Sequence, residues 1–142
     1  MRTTLYLFAV VLIAASSCSS SDSDEETGAA VADSVMAAWA SGDQADIDDI
    51  YAEDVVMALD GMTVAESRDE ITSVITTAIG IGNTYRQVGP VAVYVAEDGD
   101  MYVSSLVEVV GAAHQVGDPV VGFYRVRDGQ VIRHIFMDAE NA

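Results

Sequence analysis

The side chains able to move a proton lie in the second half of the chain: Glu108 within Met101 to Ala113, and His134 and Asp138 within Gln130 to Asp138. Histidine exchanges protons near neutrality, and a carboxyl group does so once apolar surroundings raise its pKa. Side chains alternate along a strand, so Ile132, His134, Phe136 and Asp138 are expected on one face and Val131, Arg133, Ile135 and Met137 on the other. Arg133 is a poor choice for burial, which assigns the His134 face to the interior. Four residues separate His134 from Asp138, about 13 Å at ~3.3 Å per residue, too far for a direct hydrogen bond. The two can act only on opposite ends of a ligand, or with one of them at the mouth of a pocket. Glu108 shares a face with Leu106 and Val110; it is an acid or base if that face is buried and an ordinary surface carboxylate if it is not.

Other chemistries find no footing. The two histidines are twenty positions apart without zinc-type spacing, and Asp43, Asp46, Asp48 and Asp49 lack the alternation and the glycine of a calcium loop. No Gly-rich phosphate loop and no Gly-x-Ser-x-Gly elbow occurs. Neither a metal nor a cofactor is therefore expected. Trp39, Met57, Leu59, Tyr124 and Phe136 are the candidates for lining an apolar cavity, each with plain core packing as the competing reading. Asp60, before Gly61, reads as a turn residue.

These residues need elements to hold them. Val31, Val35, Ala38 and Trp39 recur at helical spacing, Gly42 ends the run, and Asp43 caps a short second helix with Ile47, Ile50 and Tyr51 on one face. A hairpin is expected from Val55 to Glu66 around Asp60-Gly61. Ser67 and Glu70 have capping-box spacing, and Ile71, Val74, Ile75, Ala78 and Ile79 then mark one apolar helix face before Gly80 and Gly82. Four strands follow, Thr84 to Ala96, Met101 to Ala113, Val120 to Arg127 and Gln130 to Asp138, with breaks at Glu97–Asp100, Gly117-Asp118-Pro119 and Asp128-Gly129. Helices first and long strands last make an α+β domain from Gly28 to Ala142, with no internal repeat.

The beginning of the chain reads differently. Leu5 to Ala15 is an unbroken apolar run of eleven residues, too short to cross a ~30 Å hydrocarbon core at ~1.5 Å per residue, and small residues then lead to the chain's one cysteine, Cys18. Residues 1–17 are therefore expected to be a signal peptide. The Ala15-Ser16-Ser17-Cys18 sequence resembles a bacterial lipobox, with Ala15 where leucine is usual, and implies lipidation of Cys18 and a lipid anchor on the extracytoplasmic side of the cell envelope; plain secretion is the alternative. Residues 18–27, serine and acid without an apolar residue, read as a disordered tether. The formal charge of −17, from 23 acids against six arginines, repels phosphate backbones and excludes nucleic acid as a partner.

Trp39, then Ser41-Gly42-Asp43, then Ile50-Tyr51-Ala52-Glu53-Asp54-Val55-Val56 resembles the start of the SnoaL-like branch of the nuclear transport factor two-like superfamily. Arg125 to Asp138, an Asp-Gly turn followed by a strand closing on Met137-Asp138, is similar to the end of many members. The resemblance implies a cone-shaped, cystatin-like roll: three N-terminal helices on a strongly curved, mixed and mostly antiparallel sheet of about six strands. SnoaL-like cyclases place an acid/base histidine and aspartate near the last strand, which would correspond to His134 and Asp138. Glu108 stands like the acid of the arginine-x-aspartate strand in limonene epoxide hydrolases, but Leu106 replaces the arginine. Ketosteroid isomerase positions fall on Val35, Leu59 and Gly122, all apolar. The expected function is accordingly binding of a small apolar molecule in the cone; the alternative is an isomerase, polyketide cyclase or epoxide hydrolase type of enzyme using His134, Asp138 or Glu108. A homodimer is expected through the convex sheet face, with Val131, Ile135 and Met137 turned outward.

Overall fold

A computed structural model of the chain describes residues 21–111 and 114–140. The expected signal peptide and Cys18 lie outside the described residues. The first helix, α1 (Asp22–Ser41), turns Val31, Ala32, Val35, Met36, Ala38 and Trp39 inward and ends at Gly42, whose φ of 63° is the left-handed cap conformation. It starts earlier than the sequence suggests, which corrects the tether reading for residues 22–27. The Asp24 carboxylate accepts from the Ser21 N–H at 3.3 Å, and Asp22, Asp24 and Glu25 all sit in the first turn, where the helix dipole favours negative charge.

Asp43 caps α2 (Gln44–Ile50) by accepting from the Ala45 N–H at 2.8 Å. The chain passes directly into β1 (Tyr51–Leu59), four residues before the expected start, and turns at Asp60-Gly61 into β2 (Met62–Ala65). Both turn residues have positive φ, 46° and 83°, the backbone of a tight hairpin whose twist matches its strands. In α3 (Arg68–Gly80) the Ser67 hydroxyl accepts from the Glu70 N–H at 3.3 Å and Glu70 reaches back to the Glu66 N–H. Ile71, Ile75 and Ala78 are buried, while Ile79 is partly exposed at the end of the apolar stripe.

The remaining strands are β3 (Thr84–Val95), β4 (Met101–Gly111), β5 (His114–Arg127) and β6 (Gln130–Asp138). They pair in the order β2-β1-β6-β5-β4-β3, with β1 and β6 parallel and every other pair antiparallel. Among the described residues the result is the expected α+β architecture, three helices on an open, six-stranded mixed sheet that forms a cone. Two details differ from the alternation and break signals. The strand β5 runs through Pro119, because β6 reaches only to Val120 and the extension pairs with β4 alone. Pro119 directs its carbonyl toward the Ala139 N–H on the β6 side, so its missing N–H removes no β4–β5 bond. In β6, Val126 pairs with Val131 but Arg125 with Arg133, so one extra residue bulges between them. Val131 therefore faces the core together with His134 and Phe136, which corrects its outward assignment.

Candidate functional site

Trp39, on the last turn of α1, sits at the centre of an aromatic cluster inside the cone. Its ring lies edge-on to Tyr85 at 4.8 Å and to Phe136 at 5.4 Å, while Tyr85 and Phe136 stack in parallel at 6.1 Å. These rings form one wall of a cavity of about 370 Å³ that opens between α3 and the ends of β1 and β6. Leu59, Val74, Val109 and Val120 continue the apolar wall, and Asp60, Thr77, Asn83 and Asp138 contribute its polar positions. A cavity of that size holds a small organic molecule.

Beneath the wall is a buried polar chain. The Trp39 indole N–H donates to the Tyr51 hydroxyl at 2.9 Å, and that hydroxyl lies 2.8 Å from His134 Nδ1. Because the indole is a donor only, the tyrosine's own O–H is left to find its acceptor in Nδ1. That fixes the neutral tautomer with the proton on Nε2, an atom without a hydrogen-bond partner among the described residues. The imidazole is enclosed by Tyr124 at 4.8 Å and Phe136 at 4.3 Å, and burial alone lowers its pKa to about 3. Burial likewise pushes the Tyr51 hydroxyl well above its ordinary value, so both groups stay neutral at physiological pH. Tyr51 is held by its backbone: Arg68 at 3.3 Å and Gln130 at 3.4 Å donate to its carbonyl where α2 ends.

The candidate acid/base residues are not assembled. His134 is on the inner face as expected, but fully enclosed, and among the described residues it lines none of the three best-formed cavities. Asp138 is exposed on the cavity rim, where its backbone N–H donates to Asp60 Oδ1 at 2.9 Å. Glu108 projects from the opposite face of the sheet, since its neighbours Val107 and Val109 point inward, and forms an ion pair with Arg86 of β3. Glu108 thus shares no site with His134. Of the expected cavity residues, Trp39, Leu59 and Phe136 line the wall, whereas Met57 and Tyr124 are fully packed in the core. Gly122 makes room for Tyr124: a Cβ there would lie 2.6 Å from the tyrosine hydroxyl. Burial raises that hydroxyl's pKa to about 12.

Sequence reasoning missed Tyr85 and Asn83 as wall residues and Tyr51 as the link to His134. The signal for Tyr51 was present: a tyrosine among buried positions must satisfy its hydroxyl, and a buried histidine is the natural partner. Asp60 adds a rim role to its expected turn role.

A second groove, of about 440 Å³, lies on the outer face of the sheet and is lined by Tyr94, Tyr102, Phe123, Ile135, Arg125 and Arg133 among others. Arg125 is fixed there by Asp100 at 2.6 Å and lies 5.4 Å from the Tyr102 ring centre. Hydrogen bonds from Arg127, opposed by burial and reinforced by Arg125, hold the Asp100 carboxyl at about 2. Of the residues expected to face outward, Ile135 lines this groove, while Met137 lines the inner cavity.

No curated protein matches the chain. Solved structures do. A candidate isomerase of the SnoaL-like family from Agrobacterium tumefaciens str. C58 superposes with a TM-score of 0.62 at 12% identity, covering 79% of this chain and 97% of its own. A cystatin-like domain of unknown function from Nostoc punctiforme PCC 73102 gives 0.67 at 15% identity, over 84% and 79% of the two chains. A candidate polyketide cyclase from Xanthomonas campestris pv. campestris gives 0.57 at 19% identity, over 84% and 99%. At such identities the likeness establishes the fold. Residues 32–134, from the middle of α1 through to His134, match the SnoaL-like domain family, and the chain belongs to that family.

Proposed function

We propose that this domain binds a small, mostly apolar molecule in the cavity beside Trp39 and releases it unchanged. The observation that carries this reading is the separation of the proton-transfer groups. Of the three candidates, His134 is enclosed and neutral, Glu108 is on the other face, and only Asp138 stands at the rim. A base with a pKa of about 3 is too weak to abstract a proton efficiently near neutrality. The candidate isomerase and polyketide cyclase among the structural neighbours make turnover the competing reading. Lipidation at Cys18 would tether the domain outside the cell membrane, and pairing of two copies through the outer sheet face would leave both cavities open.

Trp39, the chain's one tryptophan, reports directly on occupancy. Titration with the neutral apolar dye N-phenyl-1-naphthylamine should quench Trp39 emission and raise dye emission, and Ala78→Phe, which fills the cavity, should abolish both. Absence of any quenching would reject the binding reading. A chemically altered ligand recovered after incubation with the protein would replace it with the enzymatic one.

A further inference from the structure

The charged positions of the cavity, among the described residues, have one sign. Asp60 and Asp138 bring two carboxylates to its rim, adjacent because the Asp138 N–H donates to Asp60 Oδ1 at 2.9 Å. Asn83 stands on the wall, but its Oδ1 is turned away from the cavity onto Gly111, 2.0 Å from where a Cβ there would lie, and is closed to solvent. The Thr77 hydroxyl already donates to the Ser73 carbonyl at 2.8 Å, which leaves it an acceptor. Among the described residues no basic side chain lines this cavity. The chain contains no lysine, and each described arginine is engaged or placed elsewhere. Arg68 pairs with Asp48, Arg86 with Glu108, Arg125 and Arg127 with Asp100, and Arg133 lies on the outer groove.

An apolar molecule with a neutral or acidic end would leave the two rim carboxylates without a counter-charge. A protonated amine supplies it: its N–H groups fit the carboxylate oxygens, and the faces of Trp39, Tyr85 and Phe136 attract a cation. We propose that the ligand class of this cavity is an apolar amine, bound as the cation with its charged end at the Asp60–Asp138 rim and its hydrocarbon body against the aromatic wall. This rests on the binding reading above.

The test compares three probes of equal chain length, octylamine, 1-octanol and octanoate, by calorimetric titration of the full protein at neutral pH and physiological salt. Two rim carboxylates acting at contact distance through water correspond to a preference of roughly tenfold for octylamine over 1-octanol. Octanoate should bind more weakly than either. The double variant Asp60→Asn/Asp138→Asn should bring octylamine to the level of 1-octanol while leaving 1-octanol unchanged. Asparagine retains the acceptor oxygen at residue 60 and tolerates its left-handed backbone. Asp128→Asn, on the distant β5–β6 turn, removes a unit of overall charge and should change nothing. Equal binding of octylamine and 1-octanol, or an equal loss from Asp128→Asn, overturns the amine assignment while the binding reading stands. Failure of all three probes to bind overturns both.

Discussion

Tyr51 decides how the interior tolerates polar atoms. Its hydroxyl is the single partner that both Trp39 Nε1 and His134 Nδ1 share, so Tyr51→Phe leaves a buried donor and a buried acceptor unmatched at almost unchanged volume. The expected loss is about 1–3 kcal/mol in urea denaturation, and a change of a few tenths would mean that water replaces the hydroxyl. His134 makes a separate prediction about pH. Its folded pKa of about 3 is below the ordinary 6.5, so the unfolded chain binds the proton first. Stability from this group is complete above pH ~6.5 and falls as the pH drops toward 3, by at most ~1.4 kcal/mol per pH unit. Asp100, held at about 2, loses its own contribution only below about pH 4. His134→Gln should therefore flatten the decline between pH 6.5 and 4.5, and an unchanged slope would assign it to other groups. At this scale the sequence was partly legible. Alternation placed His134 inward, but not the depth that disables it, because depth comes from Tyr51, Tyr124 and Phe136 arriving from three strands.

Element boundaries were readable wherever a local device sets them. Gly42, Asp43, Asp60-Gly61, Ser67 and Asp128-Gly129 each stop, start or turn the chain through their own backbone preference, and each does so in the structure. What could not be read was set by partners. The bulge in β6 depends on register with β5, and β5 passes Pro119 because β6 ends there. The same distinction applies to Gly28 in α1, which sequence reasoning treated only as a domain boundary. A Cβ at Gly28 would lie 2.2 Å from Val93 Cγ2 and 3.2 Å from Cγ1, so rotating the valine does not clear the space. Alanine gains up to ~1 kcal/mol in a helix over glycine, but overpacking of this kind costs ~1–3 kcal/mol. Gly28→Ala should thus destabilise the domain on balance, and in a Val93→Ala background it should become neutral or stabilising. Equal effects in both backgrounds would show that α1 does not seat on β3 at this point.

Across the whole molecule, charge and apolar surface are sorted between the two sides of the sheet. The chain carries −17, yet Arg86, Arg125 and Arg133 all belong to its outer side, around exposed Tyr94, Tyr102 and Phe123. Tyr94 is 64% exposed, an unusual position for a large aromatic side chain unless something covers it. A second copy presents the same aromatic patch, and a two-fold axis sets the two patches against each other. Overall repulsion between two acidic chains opposes that pairing and is screened by salt. Dimerisation should therefore tighten as salt rises from low to physiological values, as for an apolar interface between like-charged molecules. Sedimentation equilibrium at tens of micromolar should show a dimer, in which a stable interface covers about 800 Å² on each copy. Phe123→Glu combined with Tyr94→Glu should give a folded monomer that still quenches Trp39 with the neutral dye, because the cavity opens on the other side of the sheet. A monomer at every salt concentration would reject the interface. Loss of dye binding on monomerisation would show instead that the two faces of the sheet are coupled.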